Sequence, residues 1–218
     1  CRDFISSVTS GRIVFYWTGD PISAIISAGQ FRPGDLTFPP SHIGLVTDDG
    51  VIISASQHGV EYHSAIQILQ EYHVRPAVAV VPGLTDAQLQ TMLRWTRDRL
   101  GKMYNFPGLV TGMAGADSWY CSEFIQDAFK AAGVDFSSAP HELPHISPLD
   151  QLNGTVNGQP LDLVFVSPPG WAPFDEQANL NTLTGSTVFN ASLALLAAVM
   201  ITTGGGWIGA KLNTLKAK

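Results

Sequence analysis

What is scarce in these 218 residues narrows the field first. Lys and Arg total 12 against 18 Asp and Glu, a net charge of −6, so the basic excess that phosphate backbones require is missing and no nucleic-acid partner is expected. Cysteine is rarer still. Two residues, Cys1 and Cys121, fall far short of a disulfide scaffold; one bridge in an exported protein and a thiol enzyme both fit that number. No Met opens the chain and no basic-then-apolar leader follows. The N-terminus is therefore expected to be processed or trimmed, with Cys1 either a lipidated cysteine or the point at which a longer sequence was cut. Apolar residues are plentiful at 45%, ample for a core in one domain with an appended element.

The densest functional signal is Ser118-Trp119-Tyr120-Cys121-Ser122-Glu123-Phe124-Ile125. Counting on from Cys121, apolar residues return at Phe124, Ile125, Ala128, Phe129 and Ala132, a helical period that stops at Gly133. Cys121 then sits on the buried side of a first turn that Asp117 or Ser118 is expected to cap. Unpaired N–H groups and the positive end of the helix dipole favour a thiolate there. The competing reading is a free cysteine that simply fills a core position.

Almost eighty positions earlier, Ser41-His42-Ile43-Gly44-Leu45-Val46-Thr47 reads as a strand, with a hairpin at Asp48-Asp49-Gly50 and a return through Val51 to Ser56. A turn centred there pairs residues whose numbers sum to about 98, which sets His42 opposite Ser56 and diagonal to Ser54 on one face. Gly44, two residues on, leaves room on that face. Further strands are expected over 12–17, 77–81 and 161–166, and helices over 20–29 and 65–72. Another helix starts at Thr85, boxed by Gln88 and stapled by Leu84 and Leu89, with Leu89, Met92, Leu93 and Leu100 as its buried stripe and Gly101 as its stop. Residues 102–116 read as a loop-rich bridge, and Ser147-Pro148-Leu149-Asp150 as a short helix or turn. His58, Glu61 and His63 are expected at the surface. His141 and His145 are spaced like a metal pair, but Pro144 opposes the helix and no third ligand is evident, so neither a metal nor a cofactor is expected.

The tail differs in kind. No charged residue occurs from Gln177 to Ala210, and a helix over Val188 to Ile208 would be about 31 Å long, enough to cross a hydrocarbon core. Gly204-Gly205-Gly206 makes a poor helix interior, which favours a packed helix ending there over a span. The expected division is 1–170 for a catalytic domain and 171–218 for this tail, with 188–208 as its point of membrane contact if it has one.

Gly11-Arg12-Ile13-Val14-Phe15, Ser41-His42-Ile43-Gly44-Leu45 and Trp119-Tyr120-Cys121-Ser122-Glu123-Phe124, in that order, resemble the circularly permuted branch of the NlpC/P60 cysteine hydrolases, the YiiX/YebB-like proteins. Residues 81–85, 100–106 and 147–152 agree with that branch, and the likeness covers about 11–166. The resemblance implies an α+β, permuted papain-like fold in which a helix bearing Cys121 packs against a small antiparallel sheet bearing His42. It makes Cys121 the nucleophile and His42 the base, and its third polar position falls on Ser54, with Ser56, His58 and Glu61 as alternatives for orienting the ring. It also implies a hydrolase of amide bonds in peptidoglycan stem peptides, exported to the periplasm, envelope or medium of a bacterium. An antibacterial effector with a cognate inhibitor protein would fit. A lipid acyl hydrolase or acyltransferase of the same fold, and a catalytically idle binding module, remain as alternatives.

Overall fold

The computed structural model describes residues 2–16, 23, 26, 27, 30, 40–71, 76–137 and 146–167. The chain divides into two units, Cys1–Phe174 and Asp175–Lys218, and all described residues lie in the first. The apolar stretch 188–208, the His141/His145 pair, Cys1 and the expected helix start at residue 20 lie outside the described residues. Among the described residues no helix is long and apolar enough to cross a membrane.

The central element is a six-stranded antiparallel sheet. Its strands are β1 (Ile13–Tyr16), β2 (His42–Val46), β3 (Ile52–Ser56), β4 (Gly59–His63), β5 (Ala77–Val80) and, written β11 in chain order, Asp162–Val166. They lie in the order β11-β5-β1-β2-β3-β4. Alternation decides what each face buries. Ile13 and Phe15 of β1, Ile43 and Leu45 of β2, and Ile53 and Ala55 of β3 enter one apolar cluster; Val14, Tyr16, Val46 and Ile52 enter the other. The helix α1 (Arg2–Ser7) and α2 (Ala65–Glu71) cover the second cluster through Phe4, Ala65 and Ile68. A helix α1 was not expected from the polar start of the chain; Phe4, buried against the ring of Phe165 at 5.6 Å between centroids, anchors it.

The first face is covered by α3 (Asp86–Arg97) and α5 (Cys121–Ala131). The Thr85–Gln88 capping box forms as expected, and Met92 and Leu93 are buried, whereas Leu100 lies beyond the helix end and is 40% exposed. The bridge over 102–116 is more regular than its glycines suggest. It holds β6 (Met103–Tyr104) and α4 (Phe106–Thr111), and β6 pairs in parallel with β7 (Ser118–Trp119) just before the cysteine. Asn105 caps α4 by accepting the Gly108 N–H at 2.9 Å, with Pro107 in the first turn. Past α5, β8 (Phe136–Ser137), β9 (Thr155–Val156) and β10 (Gln159–Pro160) form a small second sheet flanking α6 (Pro148–Leu152). Ser23, Ile26, Ser27 and Gln30 are helical, whereas Gly29, the expected stop, lies outside the described residues.

Candidate active site

Two separate pieces of local chemistry set the site. Cys121 is the first helical residue of α5, and the cap residue is Tyr120 rather than Asp117 or Ser118. Asp117 instead pairs with Lys102. Three residues into the helix, Glu123 accepts the Tyr120 N–H at 3.4 Å and the Asn105 amide at 3.3 Å, so one carboxylate ties the entry of α5 to the preceding bridge. Trp119 donates from its indole to Asp127 at 2.9 Å. Its ring meets Trp95 edge-on, and the Arg99 guanidinium lies over Trp95 at 3.7 Å. Phe124, fully buried beside these rings, fixes the rotation of the helix and hence the direction of the thiol.

The histidine arrives by strand register. Leu45↔Ile53 and Val46↔Ile52 both sum to 98, the expected hairpin. The ladder stops at Leu45 and Ile53, so His42 and Ser56 are not paired partners; the diagonal contact forms instead, with His42 Nε2 and Ser54 Oγ 3.0 Å apart. His42 is opposite Tyr16 in the β1 register, and the two rings meet at 4.9 Å. What approaches Gly44 is the neighbouring strand: a Cβ there would lie 2.4 Å from Ile52 Cγ2.

The two pieces come together at the end of β2. Cys121 Sγ lies 3.9 Å from the carbonyl of Ser41, the residue before His42, and the backbone N–H of Ile43, the residue after it, favours the thiolate. Cys121 is a free thiol and 1% exposed, His42 is 7% exposed and Ser54 is fully buried. This burial reverses the expectation of a ready-made thiolate. It pushes the Cys121 thiol up to about 11, and the Ser122 side chain and the N–H groups of Ser122, Ile43 and Cys121 pull the other way without offsetting it. Burial likewise raises the Glu123 carboxyl and the Tyr120 phenol, the latter also through the charge of Glu123.

Ser56, His58 and Glu61, the alternatives for orienting the ring, form a cluster of their own. The Ser56 hydroxyl bonds the Glu61 carboxylate and accepts the His58 N–H at 3.0 Å, and Glu61 lies 3.6 Å from His63 Nε2. His63 is buried at the end of β4, not at the surface as its sequence context suggests. Ser54 is the residue at the ring. Among the described residues no three His, Cys, Asp or Glu side chains are arranged to hold a metal ion. Gln30 and Gln151, both buried and both bonded to the segments flanking the site, were not singled out from the sequence. Nothing in a lone glutamine marks it.

A cysteine opening a helix that packs on an antiparallel sheet, with a histidine from an earlier strand, is the arrangement of a permuted papain-like hydrolase. Residues 7–143 match the family of permuted papain-like amidase enzymes, YaeF/YiiX, C92 family, and the chain belongs to that family. It is thus a cysteine hydrolase of the amidase type. A similar solved structure is that of the metalloprotein yiiX from Escherichia coli O157:H7, at 20% identity and a TM-score of 0.58, covering 75% of this chain and 99% of that one. At that identity the likeness speaks for the fold. No curated protein matches the chain.

Proposed function

We propose that the protein hydrolyses amide bonds in bacterial cell-wall stem peptides, in the manner of the NlpC/P60 hydrolases, with Cys121 as nucleophile, His42 as base and Ser54 orienting the ring. The observation that carries this reading is the seat of Cys121 Sγ against the backbone of Ser41 and Ile43, with His42 between them and its Nε2 beside Ser54 Oγ. With Nε2 turned to Ser54, Nδ1 is the nitrogen that receives the thiol proton. The thiolate attacks the carbonyl carbon, and the oxyanion forms near the backbone N–H of Cys121 at the helix start. His42 then returns its proton to the departing amine. Water deprotonated by the same ring cleaves the thioester and restores the thiol. Because the thiol rests high, at about 11, attack depends on the base rather than on a standing thiolate.

A lipid acyl substrate is the second reading, and one observation favours it. Met103, Phe106 and Met113 are all exposed on the bridge that Asn105 ties to Glu123, close in sequence and space to the entry of the cysteine helix. Incubating the full chain separately with peptidoglycan fragments and phospholipid vesicles, with products read by mass spectrometry, decides between them. Free stem-peptide amines support the amidase reading; fatty acid or transferred acyl chains with intact peptides overturn it.

A cell-wall substrate carries export with it, to the periplasm, envelope or medium, and an effector role would call for a cognate inhibitor protein in the producing cell. The uncharged stretch 188–208 would supply membrane contact. Deleting 186–218 tests that part: vesicle flotation lost with activity kept supports an anchor, and flotation unchanged rejects it.

A further inference from the structure

The short helix α6 carries no group used in the chemistry above, yet both halves of the site are bonded to it. Gln30 donates from Nε2 to the carbonyl of Pro40 at 2.9 Å, two residues before His42. Its Oε1 accepts the N–H of Leu149 at 2.9 Å, and the same Nε2 reaches the Ile26 carbonyl at 3.1 Å. From the next turn, Gln151 donates to the carbonyl of Ser122 at 2.9 Å, one residue past Cys121, and reaches Gln126 Oε1 at 3.3 Å. The helix itself is locked at its start, where the Asp150 carboxylate accepts the Ser147 N–H at 2.8 Å and the Ser147 hydroxyl. One five-residue helix therefore bridges the approach to His42 and the exit from Cys121.

Packing alone does not account for these side chains. Gln151 is fully buried and its Oε1 has no hydrogen-bond partner among the described residues, a cost to stability that an apolar side chain of similar length would avoid. The cost is intelligible if the donor is what matters. Apart from the Cys121 sulfur against the Ser41 carbonyl, α5 meets β2 through the apolar side chains of Phe124, Ile43 and Leu45, and apolar contacts are non-directional, so they leave a sliding freedom that hydrogen bonds to backbone carbonyls remove.

We infer that Gln30 and Gln151 are positioning residues which, through the helix Pro148–Leu152, brace the strand bearing His42 against the helix bearing Cys121 and set the approach of imidazole to thiol. The inference rests on the dyad reading of Cys121 and His42 but not on the identity of the substrate. Misplacement of reacting groups by about 1 Å costs on the order of a hundredfold in rate, so a brace of this kind has leverage without touching substrate.

The test is the pH dependence of Cys121 alkylation by iodoacetamide in the full chain, compared among wild type, His42→Ala, Gln151→Met, Gln30→Met and the double glutamine variant. Methionine keeps the length and flexibility of glutamine and removes its polar atoms. Both single variants are expected to move the alkylation midpoint up toward that of His42→Ala and to lower the rate at pH 7 by roughly ten- to a hundredfold. The double variant should be little worse than either single one, because both act through one helix. In turnover, kcat should fall with KM nearly unchanged. A wild-type midpoint in both single variants, even with a lower melting temperature, overturns the brace while leaving the dyad standing. Should Gln151→Met fail to fold, Gln30→Met decides alone. If His42→Ala itself keeps the wild-type midpoint, the dyad reading falls and the brace falls with it.

Discussion

The two faces of strand His42–Val46 are built from different parts of the chain, and the contrast shows how the site is made. Toward α5, Ile43 and Leu45 sit in an apolar cluster with Cys121, Phe124 and Ile125. Toward α1 and α2, alternation sends His42, Gly44 and Val46 to the side where Tyr16, Ile52, Phe4 and Ile68 pack. A thiol and an imidazole on opposite faces can approach one another only around the strand end. That is where the ladder to β3 stops and where Cys121 Sγ lies 3.9 Å from the carbonyl of Ser41. The thiol side is thus dry and fixed by helix packing, whereas on the imidazole side the His42 ring meets the neutral hydroxyl of Ser54.

Removing the groups on each side should give unequal losses. Cys121→Ala is expected to abolish turnover of the cell-wall substrate, since no other thiol lies among the described residues. His42→Ala should cost about 10²- to 10⁴-fold in kcat, the range for a lost general base, with the thermal midpoint of both variants close to wild type. Steady-state kinetics beside differential scanning fluorimetry reads both quantities, and a His42→Ala enzyme of wild-type rate would remove the imidazole from the mechanism.

The dry side should respond to a packing change far more than the polar side does. Phe124→Ala deletes a fully buried ring from the contact between α5 and β2, and a loss of about 3–5 kcal/mol in urea unfolding is expected. A loss below about 1 kcal/mol, the scale of an ordinary surface substitution, would mean that α5 is seated by something other than this ring.

High pH separates the two sides by charge. The buried thiol titrates at about 11 when folded against an ordinary value of 9.0, so between these values the unfolded chain releases its proton first and folding stability falls as pH rises. Two pH units correspond to about 3 kcal/mol, and Cys121→Ala should be spared this loss. Urea midpoints of wild type and variant at pH 8 and pH 11 give the comparison. Parallel curves would show that the sulfur is less enclosed than its surroundings suggest. In the His42→Ala protein, alkylation of Cys121 should climb about tenfold per pH unit to a midpoint above that of the wild type.

The smallest effect belongs to Ser54→Ala. A hydroxyl orients the ring without lending it charge, so roughly a tenfold fall in kcat is expected, with KM unchanged. A loss equal to that of His42→Ala would raise Ser54 from orienting the base to sharing its work.

Much of this was written in local residue patterns. The apolar period from Cys121 to Phe129, the Thr85–Gln88 box and the turn at 48–50 each depend on neighbours a few residues apart, and each formed as its pattern requires. The diagonal from His42 to Ser54 follows from a two-residue side-chain period once that turn is placed. Asn105 before Phe106-Pro107 was a legible helix start hidden among glycines. Other features had no local signature. That Tyr120 and not Asp117 or Ser118 caps α5 had no such signature, and Asp117 instead meets Lys102, fifteen residues distant. The height of the thiol pKa came from what closes over the sulfur, since a dipole at a helix start is local but desolvation is set by the whole fold. Sequence alone therefore determined which element holds each candidate residue, because periodicity and turn chemistry act over a few positions. Tertiary structure alone decided that the sulfur lies against Ser41 and Ile43, that it rests protonated, and that Gln30 and Gln151 join the two halves, because burial and long-range hydrogen bonds exist only once distant segments are packed together.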